Sequence, residues 1–186
     1  MRKYFFVIVA LVCLLVWFLA SLEGLAFIGT MGGIEAASEG QWVYTNTTDS
    51  YDDNKAETLG TAICADVTFP SGGDVTAIGV KFVGVDTDDF KVSLGTAANP
   101  TVLLLDCGEQ TDSTTAGWND VTCSTSYTVT ASTYRLCYDL SGAATTYHNN
   151  SSTGYWGTQA YATFPAASQG VASASNELHA LRAYLE

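Results

Sequence analysis

Positive charge is what this chain has least of: 7 Lys and Arg stand against 19 Asp and Glu in 186 residues, a net charge of −12. The two basic and two acidic side chains before residue 39 cancel, so the imbalance belongs to residues 39–186. There Lys55, Lys81, Lys91, Arg135 and Arg182 stand singly. Neutralising a phosphate backbone takes clustered Lys and Arg, so a nucleic-acid partner is disfavoured. Histidine is scarce as well, with only His148 and His179. The chain has no His pair at metal-ligand spacing, no Cys-x-x-Cys, no Gly-x-Ser-x-Gly elbow and no phosphate loop. A glycosidase needs only two carboxylates, but no pair among the acids is singled out, and the expectation is that the protein is not an enzyme. No internal repeat at a fixed period is present.

What is there begins with an apolar run from Tyr4 to Ala20, led by Arg2 and Lys3. This is the layout of an export signal, at a length that also suits a single membrane span. Residues 1–28 are therefore a signal peptide or a retained hydrophobic helix, and in the second case residues 4–28 meet the membrane. Either way the basic end stays in the cytoplasm and the rest is exported, to the extracellular space, the periplasm or the outer face of the membrane. Residues 29–41, rich in Gly, Ala, Ser and Glu, read as a linker, and 42–186 as one domain large enough to bury a core.

Within the domain the apolar period is two. Ile63, Ala65, Val67 and Phe69 alternate with Cys64, Asp66 and Thr68, and Tyr134, Leu136, Tyr138 and Leu140 alternate with Arg135, Cys137 and Asp139. These are half-buried strands, separated by turn compositions such as "PSGGD", "AANP" and "STTAG". Only the leader and the last dozen residues could pass as helix. The fold class is all-β, an antiparallel sandwich of about eight strands. Cys13 lies in the leader, which leaves four cysteines in an exported domain, the arithmetic of disulfides. Cys107 and Cys123 flank a turn that could close a hairpin, so they form the first pair. Cys64 and Cys137 lie opposite their strands' apolar faces and form the second, provided those two strands are neighbours; it is one of three possible connectivities.

The succession "GTAICADVTFPSGGDVTAIGVKF", "DFKVSLGTAANPTVLLLD", "GWNDVTCSTSYTVTASTYRLCYDL" and "GYWGTQAYATFP" resembles the jelly-roll modules, similar to carbohydrate-binding modules, of secreted bacterial and phage-encoded surface proteins. The resemblance spans roughly residues 58 to 165. The chain departs from it in lacking a glycine in "TASTY" and in carrying four cysteines. It implies a binding or structural role without a particular ligand.

The segment "TTYHNNSSTGYWGTQAY" is the candidate binding surface, because flat rings beside amides suit a sugar; it offers Tyr147, Asn149, Asn150, Tyr155 and Gln159. Trp156, sharing a strand face with Ala160, Ala162 and Phe164, is expected in the core, and Trp42 and Tyr44 are expected to be packing residues, while Trp118 fits packing and surface equally. Asp86, Asp88 and Asp89 in "DTDD", like the acids of "DSYDDNKAE", are the kind of oxygen-rich loop that can hold a structural calcium ion, although neither matches an EF-hand. No other cofactor is expected. Sequons at Asn46, Asn149 and Asn150 would accept glycans in a host that glycosylates. The functional expectation is a non-catalytic exported module that binds a surface glycan or cell-surface partner. The alternative is a structural subunit that packs with neighbouring protein subunits in a membrane-anchored or extracellular assembly, held by its N-terminal helix.

Overall fold

The computed structural model describes residues 39–46, 51, 53–57, 59–85, 88–111, 115–150, 153–174 and 177–186. The expected N-terminal helix and nearly all of the linker lie outside the described residues. Among those described, no helix is long and apolar enough to cross a membrane. The described chain is all-β, with antiparallel strands in two sheets. In order they are β1 (Gln41–Tyr44), β2 (Asp53–Ala56), β3 (Thr61–Thr68), β4 (Gly73–Phe82), β5 (Phe90–Thr96), β6 (Thr101–Gln110) and β7 (Gly117–Val129). Next come β8 (Thr133–Leu140), β9 (Thr145–Asn149), β10 (Gly154–Thr158), β11 (Ser168–Gln169), β12 (Ala172–Ala174), β13 (Leu178–His179) and β14 (Leu181–Leu185). A single 3-10 turn, Tyr161–Thr163, interrupts the described strands.

The first sheet runs β1-β14-β4-β9-β13, with β2 also paired to β9 and β7 to β4; the second runs β11-β6-β5-β8-β3-β10-β12. Their facing sides enclose one core. The first sheet contributes Val75, Ile78, Val80, Phe82, Leu181, Ala183 and Leu185, and the second Ile63, Val67, Leu94, Leu136, Tyr138 and Leu140. Burying each large apolar side chain of this kind contributes about 1.5–3 kcal/mol, and this drives the two sheets together. A register shift in β4 between Val75 and Ala77 turns both Val75 and Ile78 inward, which is why "VTAIGVKF" breaks strict alternation.

The last dozen residues are strand, not helix. Leu178, Leu181 and Leu185 fit a helical spacing, but Leu181, Ala183 and Leu185 equally fit a period of two. Pairing decides between them: β14 lies between β1 and β4 and buries those three residues.

Both disulfides form between the expected cysteines, by different geometries. Cys64 and Cys137 are directly opposed on neighbouring strands β3 and β8, with Cα atoms 4.1 Å apart. Cys107 and Cys123 do not close a hairpin. β6 pairs with β5 and β11 in the second sheet, while β7 pairs with β4 in the first, so this bridge ties one sheet to the other.

The second sheet is not half-buried. Its outer face is covered by the chain from about residue 159 to 171, which sets Phe164 and Val171 on Ala62, Cys64 and Cys137 as a second apolar cluster. The polar residues of β8 lie beneath this cover: Arg135 is 2% exposed and Asp139 fully buried. Arg135 Nε donates to Asp66 Oδ1 at 2.7 Å, and its Nη1 donates to the Ala98 carbonyl at 2.9 Å and to Thr101 Oγ1 at 3.0 Å. The Tyr155 ring stacks 3.7 Å from its guanidinium carbon. A buried charge costs several kcal/mol unless it is paired and hydrogen-bonded, and this one is both. Gly157 permits the cover, because a Cβ there would come within 2.5 Å of the Gly170 carbonyl oxygen.

Candidate functional site

The outer face of the first sheet carries no such cover among the described residues. Alternation on β1 turns Val43 toward the core and Trp42 and Tyr44 outward; on β14 it turns Arg182 and Tyr184 outward. Lys81 of β4, Trp118 and Asp120 of β7 and Tyr147 of β9 point the same way, opposite Val80, Val121 and Thr146. Trp42 meets Tyr184 with ring centroids 5.0 Å apart, and Tyr44 and Tyr51 meet Trp118 at 5.6 Å and 6.3 Å. Arg182 lies 4.0 Å from the Trp42 ring and 4.4 Å from that of Trp118. Lys81 stands 5.3–5.6 Å from the rings of Tyr51, Trp118 and Tyr147. Each such cation–ring contact is worth about 0.5–1 kcal/mol where water reaches it. Together they hold an array of tilted rings and two cations across five strands, with the Arg182 side chain 13% exposed. Arg182 also forms a two-point pair with Asp120, at 3.0 Å and 2.6 Å. That pair lies across Gly79, where a Cβ would collide with the Asp120 carboxylate.

A second feature lies where the two sheets part. β2 and β13 of the first sheet and β3 and β10 of the second wall a cleft of about 330 Å³, lined by Lys55, Ala56, Glu57, Thr61, Ile63, Tyr155, Trp156, Glu177 and His179. Glu57 is 6% exposed, and its Oε1 has no hydrogen-bond partner among the described residues. Burial pushes its carboxyl up to about 7, opposed by Lys55 and reinforced by Glu177. His179 lies 3.5 Å from Glu57 and near Tyr138 and Thr146, at 3.3 Å and 3.4 Å. Burial holds its imidazole down at about 3, so it is neutral and cannot balance Glu57. At the rim Lys55 pairs with Glu177 at 2.8 Å.

The expected binding segment is not one surface, because the chain crosses between sheets within it. Tyr147 and Asn149 lie on β9 of the first sheet, Tyr155 on β10 of the second. Asn150 donates to Asp53 Oδ2 at 2.7 Å and shares a hydrogen bond of 3.0 Å with His148, and Gln159 donates to the Thr163 carbonyl at 2.7 Å. Trp156 is not core. It occupies the core-side face opposite Ile63, as its alternation required, but the sandwich opens at that edge and leaves it 46% exposed at the cleft. Phe164 is buried, but in the second cluster, because the strand ends at Thr158 and the 3-10 turn breaks the alternation. Trp42 and Tyr44 are packing residues as expected, half-buried against Tyr184 and Trp118, on the outer face of the first sheet. Asp86 lies outside the described residues. The Asp89 backbone is tied to Ser141, its N–H donating to Ser141 Oγ at 2.8 Å and its carbonyl accepting from the Ser141 N–H at 2.9 Å, and the Asp88 carboxylate sits against Gly142. Among the described residues no three His, Cys, Asp or Glu side chains are grouped to hold a metal ion.

No family model matches the chain, and no curated protein matches it. Among solved structures it is similar to that of the infectious bursal disease virus Gx strain, at 10% identity and a TM-score of 0.33, over 80% of this chain and 36% of that one. The Gt strain structure of the same virus gives 12% identity and a TM-score of 0.30, over 80% and 38%. A mutant VP2 protein of that virus, in T=1 particles, gives 10% and 0.29, over 79% and 39%. The chain thus spans less than two fifths of each of these proteins, and likenesses of this size assign neither a fold family nor a role.

Proposed function

We propose that the chain is a non-catalytic structural subunit, an exported sandwich of jelly-roll type that docks through the outer face of its first sheet onto a second copy of itself. The observation that supports this is the array of Trp42, Tyr44, Trp118, Tyr147 and Tyr184 interleaved with Lys81 and Arg182. Trp, Tyr and Arg are the residues that dominate the energetics of protein interfaces, and here they are already held rigid by one another. Charge selects the occupant: the face holds two of the domain's five basic residues against one acid, Asp120, while the molecule as a whole stands at −12. The acidic remainder of another copy complements it, in a head-to-tail contact that can propagate. Glycan binding was expected on the segment from Tyr147 to Gln159, which the fold divides between two sheets, and it therefore takes second place. Export fits the two disulfides, and a retained N-terminal helix would anchor the assembly at a membrane.

The test is the mass of the full chain in mild detergent, by light scattering, over a range of concentrations. Oligomers that dissociate at least tenfold more readily in Lys81→Glu or Trp118→Ala, and in high salt, are the expected result. A monomer at every concentration, or oligomers indifferent to both substitutions, overturns the proposal.

A further inference from the structure

The cleft between the sheets raises a question that the docking face does not answer: a carboxylate oxygen is buried at its floor without a hydrogen-bond donor. Glu57 lines a space of about 330 Å³ that water reaches, and its Oε1, buried 3.5 Å from His179 Nδ1, has no hydrogen-bond donor among the described residues. The charged groups around it are few. From β2 comes Lys55, already paired with Glu177; from β13 comes His179, neutral beside Tyr138 and Thr146; and His148 of β9 lies behind, its ring 5.9 Å from that of His179. With Glu57 ionised, the cleft therefore holds two carboxylates and one ammonium, and the carboxylate in excess is the one without a partner. At the mouth Trp156 presents a half-exposed indole that nothing in the core requires there.

We propose that this cleft binds an alkylammonium or guanidinium group, with its charge on Glu57 and its alkyl part against Trp156. A donor that is also a cation satisfies both deficits, the open hydrogen bond and the unbalanced charge, where a neutral hydroxyl satisfies one. The ring adds attraction for a cation over its face, and the surplus negative charge of the molecule draws cations toward it. The site is independent of the aromatic face and stands whether or not copies associate.

Because the bound cation favours ionised Glu57, binding must displace a proton wherever Glu57 is protonated in the free protein. Burial sets that threshold at about 7, so affinity is full above it and falls about tenfold between pH 8 and pH 6. The experiment uses the full chain in detergent and follows tryptophan fluorescence as butylammonium or butylguanidinium is added at fixed ionic strength. A parallel arm uses capped Gly-Lys-Gly and Gly-Gln-Gly peptides. Saturable binding of the cations that weakens toward pH 6, a loss of at least fivefold in Glu57→Gln with its pH dependence abolished, and a vanished signal in Trp156→Leu are expected. Thermal melts confirm that each variant is folded. Tighter binding of the lysine peptide than of butylammonium assigns the site to a partner's side chain, and the reverse assigns it to a free amine. Binding that is the same at pH 6 and pH 8, binding that survives Glu57→Gln, tighter binding of methyl glucoside than of the cations, or no binding at all overturns it.

Discussion

The two outer faces of the sandwich start from the same rule and end differently. On both, alternation turns every second residue away from the core. On the second sheet the chain folds back over that face, so Arg135, Asp139 and the Cys64–Cys137 bridge are buried and Phe164 packs on them. On the first sheet the outward residues are rings and cations that pack on one another instead. On the face that the fold itself covers, Arg135 is satisfied internally, whereas Asp139 Oδ2 has no hydrogen-bond partner among the described residues and burial pushes that carboxyl up to about 6. A face that stays open can keep side chains whose contacts are completed from outside. The difference teaches that composition alone does not label a face: Arg135 stacked on Tyr155 and Arg182 stacked on Trp42 look alike as residue pairs, yet the first lies beneath covering chain at 3% side-chain exposure and the second keeps 13% on a face without such a cover among the described residues.

Removing the bridge beneath the cover has the largest expected effect. Cys64→Ala with Cys137→Ala opens a loop of 73 residues and costs about 4–5 kcal/mol, against about 3 kcal/mol for Cys107→Ala with Cys123→Ala, whose separation is 16. Denaturant midpoints of the two double variants give the order, and equal losses would remove the distinction. Phe164→Ala takes the main apolar contact from the cover and is expected to cost about 3 kcal/mol, read in the same way. Trp118→Ala on the open face is expected to cost about 1 kcal/mol while weakening association at least tenfold in light scattering. If it destabilises the monomer as much as Phe164→Ala does, the open face is a second core and the contrast fails.

A further effect is a matter of pH. A carboxyl raised from 4.5 to about 7 by folding contributes stability that is present below 4.5 and lost as pH rises through 7. Glu57→Gln therefore stabilises the protein at pH 8 and loses that advantage toward pH 4.5. His179 has the opposite sense: lowered from 6.5 to about 3, its contribution is present above 6.5 and lost as pH falls through 3. Melting temperatures of the parent and of Glu57→Gln across this range show the crossover, and parallel curves would contradict the burial of Glu57.

The strands and both cysteine pairs were legible in the sequence because period-two alternation and cysteine parity are local signals. Alternation also put Trp156 on its correct face. Its exposure was not legible, since whether a core-side residue is covered depends on where the opposite sheet ends. The hairpin expected from Cys107 to Cys123 failed for a related reason: proximity of two cysteines does not say whether their strands are hydrogen-bonded or stacked. The aromatic face left one local trace, the alternation of Trp42 and Tyr44 about Val43 and of Arg182 and Tyr184 about Ala183, but only the adjacency of β1 and β14 makes it a single surface. Glu57 was visible only as one acid in "DSYDDNKAE". Its burial comes from β13, more than a hundred residues further along the chain.

The ring of chain closed by Cys64 and Cys137 contains the whole of the ring closed by Cys107 and Cys123. A protease that nicks any one peptide bond between residues 64 and 137 therefore releases nothing. The molecule stays a single covalent piece, and the wound shows only when reductant is added.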